Sequence, residues 1–293
     1  MKKLIRIIFI LLILFLFYVN RDMAFEGIIR GINLWNNSLF PSIFPILIIS
    51  DFILSTDLVY YINRVWGNVF RKLFKVSGYG SYVFIMSMFC GCPSNAKYVS
   101  DLLNNNIINK DEAIKILSMS LLYNPLLIIA ITPYLSFSKQ LLIIFGNLVC
   151  NFIIGLLNRN YKANISSYNY IKKNFNLVNS ISNAINTLLL ILGSVCLFMG
   201  LSYILPFSHP LITGFFEITS GINMINYVRI NVFYKIIYTV IMMSFGGLSI
   251  LIQIKSILKD ANLDYSLYYK SRIIHLILFL IMIYGFKYLF GWL

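Results

Sequence analysis

The stretch FCGCPSNAKYVSDLL, Phe89–Leu103, follows directly on the apolar run YVFIMSM, Tyr82–Met88. Gly91 and Pro93 end any helix there, because proline lacks an N–H and its ring clashes with the preceding turn. A helix that stops inside hydrocarbon leaves backbone groups unpaired, so such a break survives only where protein or a watery space covers it. After Pro93 a new helix presents free N–H groups and the positive end of its dipole. Ser94 or Asn95 can cap that start. Lys97 adds a cation within the first turn or so. The combined field suits a carboxylate or another anion.

The rest of the chain supplies the membrane. It has 293 residues, 59% hydrophobic and only 12% charged, with a mean hydropathy of +0.80. A soluble domain carries about a quarter charged residues. Repeated apolar runs of spanning length give an all-α polytopic membrane protein. The formal charge of +14 is that of basic residues flanking spans, which set orientation. No basic, aromatic soluble domain exists to bind nucleic acid.

Spans are expected at about 4–20, 39–56, 116–134, 140–157, 183–205 and 272–291. The first, in residues 1–24, has a basic start and an apolar core without a small-x-small cleavage site, and reads as a signal-anchor helix. Two further apolar stretches, 79–103 and 232–258, are interrupted by glycine near their middles. They read as broken or re-entrant helical hairpins, one in each of two repeats, 25–158 and 181–293. Tyr82–Gly91 (YVFIMSMFCG) and Tyr238–Gly247 (YTVIMMSFGG) share five of ten positions. KLFKVSG, Lys72–Gly78, loosely faces FFEITSG, Phe215–Gly221.

The basic residues order the topology. Lys2, Lys3 and Arg6 put the N-terminus in the cytoplasm. Arg64, Arg71, Lys72 and Lys75 follow on the same side, as do Lys110 and Lys115 if 79–103 enters and returns. The polar linker 159–180 is cytoplasmic too, and its Asn164-Ile-Ser166 sequon is then out of reach of glycosylation. The stretch 207–230 falls outside. The two interrupted elements would enter from opposite faces, as in an inverted repeat. Lys255, Lys259, Lys270 and Arg272 fit this topology poorly.

Other residues place polar chemistry in apolar surroundings. Lysine at membrane depth costs roughly 2.5–3.5 kcal/mol, so Lys97 needs a partner or a water-filled path, or must reach the surface. Asp51, after Pro41 and Pro45, is one such partner; it could instead cap a helix or carry a coupling proton. Glu217 is the other acid in an apolar setting. Asn124-Pro125 interrupts a span and frees a backbone carbonyl. Gln253, just past Gly246-Gly247, could bond a polar ligand or a neighbouring helix. Cys90, Cys92, Cys150 and Cys196 lie in apolar segments, and C-G-C is no usual zinc spacing. His209 and His275 stand isolated. No phosphate loop, zinc-protease motif or serine-hydrolase elbow occurs. The chain is expected to be no enzyme and to use no metal or cofactor; Cys90 or Cys92 beside Lys97 is a weak nucleophile set.

Five motifs in order carry a resemblance: LFPSIFPILIISDFIL (Leu39–Leu54), GCPSNAK (Gly91–Lys97), YNPLL (Tyr123–Leu127), FFEITSG and SFGGLSILIQIKSIL (Ser244–Leu258). Together they resemble the YlbJ/SpoVV-type sporulation integral membrane proteins, grouped with nucleoside-recognition "Gate" domain proteins that look like a reduced concentrative nucleoside transporter core. Gly91, Pro93, Ala96 and Lys97 match the family's first motif, with Cys92 where an aromatic is usual. Asp51 stands where the family tends to carry Glu. The resemblance implies a role in endospore formation, in the cytoplasmic membrane or the membrane around the forespore, moving dipicolinate towards the forespore.

The expected function is therefore transport of a small anionic solute. Gly91, Pro93, Ser94, Asn95, Lys97, Asn124, Gly246, Gly247, Ser249 and Gln253 are the expected solute contacts. Asp51 and Glu217 are the expected coupling or gating acids. The partners are the solute and the lipid bilayer, and a homo-oligomer is compatible with the sequence. A nucleoside or other carboxylate would suit the same turn, and a non-transporting scaffold for spore-envelope assembly is the rival.

Overall fold

A computed structural model describes residues 2–162, 175–205 and 209–291. The linker's middle and its sequon lie outside them. The described chain is helical, with no strand. In order come α1 (Lys2–Val19), α2 (Arg21–Leu34), α3 (Phe40–Ser55), α4 (Leu58–Phe74), α5 (Tyr79–Cys90), α6 (Ser94–Asn104), α7 (Lys110–Met119) and α8 (Pro125–Ile131). The rest are α9 (Phe137–Leu157), α10 (Leu177–Ile204), α11 (Pro210–Phe216), α12 (Ile218–Ile225), α13 (Val232–Phe245), α14 (Gly247–Ile257) and α15 (Ser266–Phe290). Five to six of these stretches are long and apolar enough to cross a membrane, so the protein is an integral, multi-pass membrane protein.

The expected span at 39–56 is the far end of a longer element. Arg21–Ser55 runs as one helix of 35 residues, with a π turn at Trp35–Leu39 joining α2 to α3. Pro41 follows that turn. Its ring cannot sit over a normal preceding turn, and a local widening of the helix accommodates it. The expected boundary at residue 24 thus falls inside α2, because the backbone turn that separates α1 is at Asn20.

The expected span 116–134 is not one helix. Residues 120–124 are a non-helical strip between α7 and α8. The stretch 232–258 differs too. It is a single apolar element of 26 residues, Val232–Ile257, and it passes through Gly246-Gly247 instead of folding back. Two successive glycines at φ 77° and 74° interrupt the hydrogen bonding, and Gly246 alone separates α13 from α14. The folded-back pair of the second half is α11 with α12. There a Cβ on Gly221 would lie 2.3 Å from the Gly214 Cα, so only glycines allow the contact. In the first half α5 folds back onto α6, and the rings of Tyr82 and Tyr98 meet at 5.8 Å. The sequence match of 82–91 with 238–247 therefore pairs two unlike elements.

α4 is amphipathic, with Tyr60, Tyr61, Val65 and Trp66 exposed. It meets α5 at 101°, so the two helices do not run on as one straight element.

Two apolar cores form. The larger joins α4 to α9 with α12 to α15. The smaller lies between α3 and α10, around Ile43, Leu47, Leu188, Ile191 and Val195. α10 also packs along α2, where Gly27 and Gly31 lie against Met199 and Cys196 and the Trp35 indole donates to the Leu188 carbonyl at 2.9 Å.

Candidate functional site

Four interruptions meet between the two cores: Gly91–Pro93, Ser120–Asn124, Glu217 and Gly246-Gly247. The first two cross directly. Gly91 has φ 75°, and a Cβ there would lie 2.5 Å from the Asn124 nitrogen. The Cys92 N–H donates to the Leu122 carbonyl at 2.8 Å. The Cys92–Pro93 peptide bond is cis. The Tyr123 hydroxyl then donates to the Met243 carbonyl at 2.8 Å, linking the second interruption to the fourth. The fourth lies beside the third: a Cβ on Gly247 would lie 3.4 Å from the Phe216 carbonyl oxygen, next to Glu217.

The non-helical strip between α7 and α8 explains how such backbone survives. Each of its first carbonyls has a donor from a distant part of the chain. Asn95 on α6 donates to Ser120 at 3.1 Å, Asn151 on α9 to Leu121 at 2.9 Å, and Cys92 to Leu122. Arg272 on α15 donates to the Ser118 carbonyl just before them. Buried backbone groups need such partners where water is absent.

The cavity where the interruptions meet holds about 40 Å³, room for roughly three waters. Cys90, Cys92, Pro93, Tyr123, Asn124, Glu217, Thr219 and Gln253 line it on one side, and Leu39, Ile43, Ile191 and Val195 on the other. Of the expected contacts, Pro93, Asn124, Gln253 and Glu217 therefore face it. Asn124 caps α8, accepting from Leu126 N–H at 2.8 Å. Glu217 caps α12, accepting from Ser220 N–H at 2.7 Å and the Thr219 hydroxyl at 2.6 Å, and is 3% exposed. Gln253 donates to Ser249 at 2.9 Å and to Ser194 of α10 at 2.8 Å, so Ser249 supports Gln253 from outside the lining. Gly91, Gly246 and Gly247 shape the crossing.

Ser94, Asn95 and Lys97 stand elsewhere. Ser94 opens α6 buried at 2%, and the Asn95 amide nitrogen donates to the non-helical strip. Lys97 lies 2.9 Å from Asp51 and 3.1 Å from Asp101. Its charge is matched twice, and Asp51 borders a separate polar cleft with Asn176, Asn179 and Asn183. The pairing of Asp51 with Lys97 is the first of the three roles its position allows.

A buried polar group behind the interruptions was missed in the sequence. His275 bonds Ser244 at 2.9 Å and Asn147 at 3.1 Å. Asn151 bonds Asn147 at 2.7 Å and reaches Arg272 at 3.3 Å. Asn147 and Asn151 are one turn apart on α9, as are Arg272 and His275 on α15. That spacing puts each pair on one face and is the signal that could have found them.

Comparison with known proteins agrees with the motif resemblance. The sporulation integral membrane protein YlbJ of Bacillus subtilis (strain 168) is 22% identical over 303 aligned positions, covering 86% of this chain and 74% of that protein. No family model matches the chain, and no solved structure matches it. The likeness extends over most of the chain, and the chain resembles the YlbJ-type sporulation membrane proteins.

Proposed function

We propose that this chain is a membrane protein of endospore formation that carries a small anionic solute across a membrane surrounding the developing spore. Dipicolinate is the candidate that the motif resemblance supplies. The observation that carries the transport reading is the meeting of four helix interruptions, three of which line one cavity. Interrupted helices near the bilayer midplane set main-chain dipoles around a solute, and they occur in transporters built from inverted repeats. The name of the Bacillus relative supports the sporulation setting.

In this reading the repeats correspond as α5/α6 with α11/α12 and α7/α8 with α13/α14. The basic linker and the N-terminus are cytoplasmic. Glu217, buried at the cavity wall, is the coupling acid. Solute entry widens the 40 Å³ space as one core shifts against the other.

Uptake of labelled dipicolinate into vesicles holding the purified full chain tests this. Wild type should take it up above empty vesicles, and Glu217→Gln should slow uptake severalfold while folding normally. No uptake of dipicolinate, or of a panel of nucleosides and carboxylates, would leave the interruptions as architecture and favour the scaffold reading.

A further inference from the structure

The anionic solute requires a cation that the Lys97 turn does not offer, since two carboxylates already surround that amine. We propose that Arg272 holds the solute's carboxylate, an assignment that rests on the transport reading for the identity of its ligand.

Arg272 is 2% exposed, two turns inside α15. Nη2 donates to the Ser118 carbonyl and to Asn151. Nε and Nη1 are buried and have no partner. Among the described residues no Asp or Glu forms an ion pair with it. The Tyr268 ring lies 5.4 Å from its Cζ. A purely structural arginine, holding the end of α7, accounts for Nη2 alone. Buried donors left over in this way call for an acceptor, and planar guanidinium donors match a carboxylate.

The surroundings give that acceptor a route. Arg272 lines a groove of about 230 Å³ with Phe215, Phe245, Gly247, Leu251 and Tyr269. The groove walls are aromatic and aliphatic, which suits a flat ring carrying a carboxylate. An anionic lipid headgroup offers the same oxyanion chemistry, so the test separates the two sources.

The full chain in phosphatidylcholine vesicles is treated with phenylglyoxal, which modifies arginine, and adducts are mapped by mass spectrometry. Dipicolinate, benzoate and inorganic phosphate are the probes, and exposed Arg159 is the internal control. Dipicolinate or benzoate should slow modification of Arg272 about tenfold at ten times its Kd, because protection follows mass action, and leave Arg159 unchanged. An Arg272 that does not react, or that no carboxylate protects, overturns the assignment. Protection only by added phosphatidylglycerol overturns the solute source. Vesicle uptake is scored separately: protection without uptake keeps the site and removes the transport reading. Uptake with an unchanged half-saturation in Arg272→Lys and Arg272→Gln keeps transport and removes the site.

Discussion

The Tyr123 hydroxyl donates to the Met243 carbonyl at 2.8 Å across 120 residues of chain. One hydrogen bond thus ties the non-helical strip of the first half to the last turn before Gly246. Tyr123→Phe removes the donor and leaves a buried carbonyl unpaired, at a cost of about 1–3 kcal/mol. Thermal unfolding of the purified protein, followed by size-exclusion chromatography, should show a lower midpoint. An unchanged midpoint would mean that the two interruptions are held together by other contacts.

Glycine is required where the crossings are closest. Gly91→Ala adds a Cβ 2.5 Å from a backbone nitrogen at φ 75°, and the neighbour cannot give way. We expect loss of folded protein from membranes. Gly193→Ala meets nothing within 4 Å, lies in the interior of α10, and should hold or raise stability by up to about 1 kcal/mol. Equal yields of both variants would contradict the crossing geometry.

The ion group around Lys97 predicts an asymmetry. Lys97→Met strands Asp51, 4% exposed, without its cation, and breaking a buried pair costs about 3–5 kcal/mol. Replacing both as Lys97→Met with Asp51→Leu should recover much of that loss, because two apolar side chains of similar size pack where the charges met. A double-mutant cycle on unfolding midpoints checks it, and simple additivity would rule out the coupling.

Glu217 has two separable roles. As a cap, its replacement by alanine should cost about 0.5–2 kcal/mol. Glu217→Gln keeps an acceptor for Ser220 and should be nearly as stable as wild type while slowing solute uptake. A Gln variant with full uptake would reduce Glu217 to a cap.

The interruptions that glycine and proline mark were legible: GCP, NP and GG each forbid a continuous helix locally. The interruption at Glu217 was not, because FFEIT contains no such residue. Its signal was an acid two and three positions before Thr219 and Ser220, ready to accept the first N–H groups of α12. The repeat register was misread because YVFIMSMFCG and YTVIMMSFGG share apolar composition, while fold-back depends on whether a partner such as Gly214 faces Gly221 across the pair. Ser94 and Lys97 read as solute contacts because sequence gives the position of a charge on a helix but not the acids folding brings to it. Arg272 read as the start of a span. Its place two turns inside α15 became visible only with the polar stripe of α9 opposite.

The two apolar cores have a mechanical consequence. Side chains within each interlock, but the cavity between them is lined by residues of both. Among the described residues, two side-chain polar bonds bridge that joint, Lys97 to Asp51 on α3 and Gln253 to Ser194 on α10. Both behave as catches on a sliding door. Each donor already holds a second acceptor, Lys97 in Asp101 and Gln253 in Ser249, so neither donor is left bare when its catch lets go. A helix of 35 residues alongside one of 28 forms the rail, longer than the roughly 30 Å of hydrocarbon it crosses.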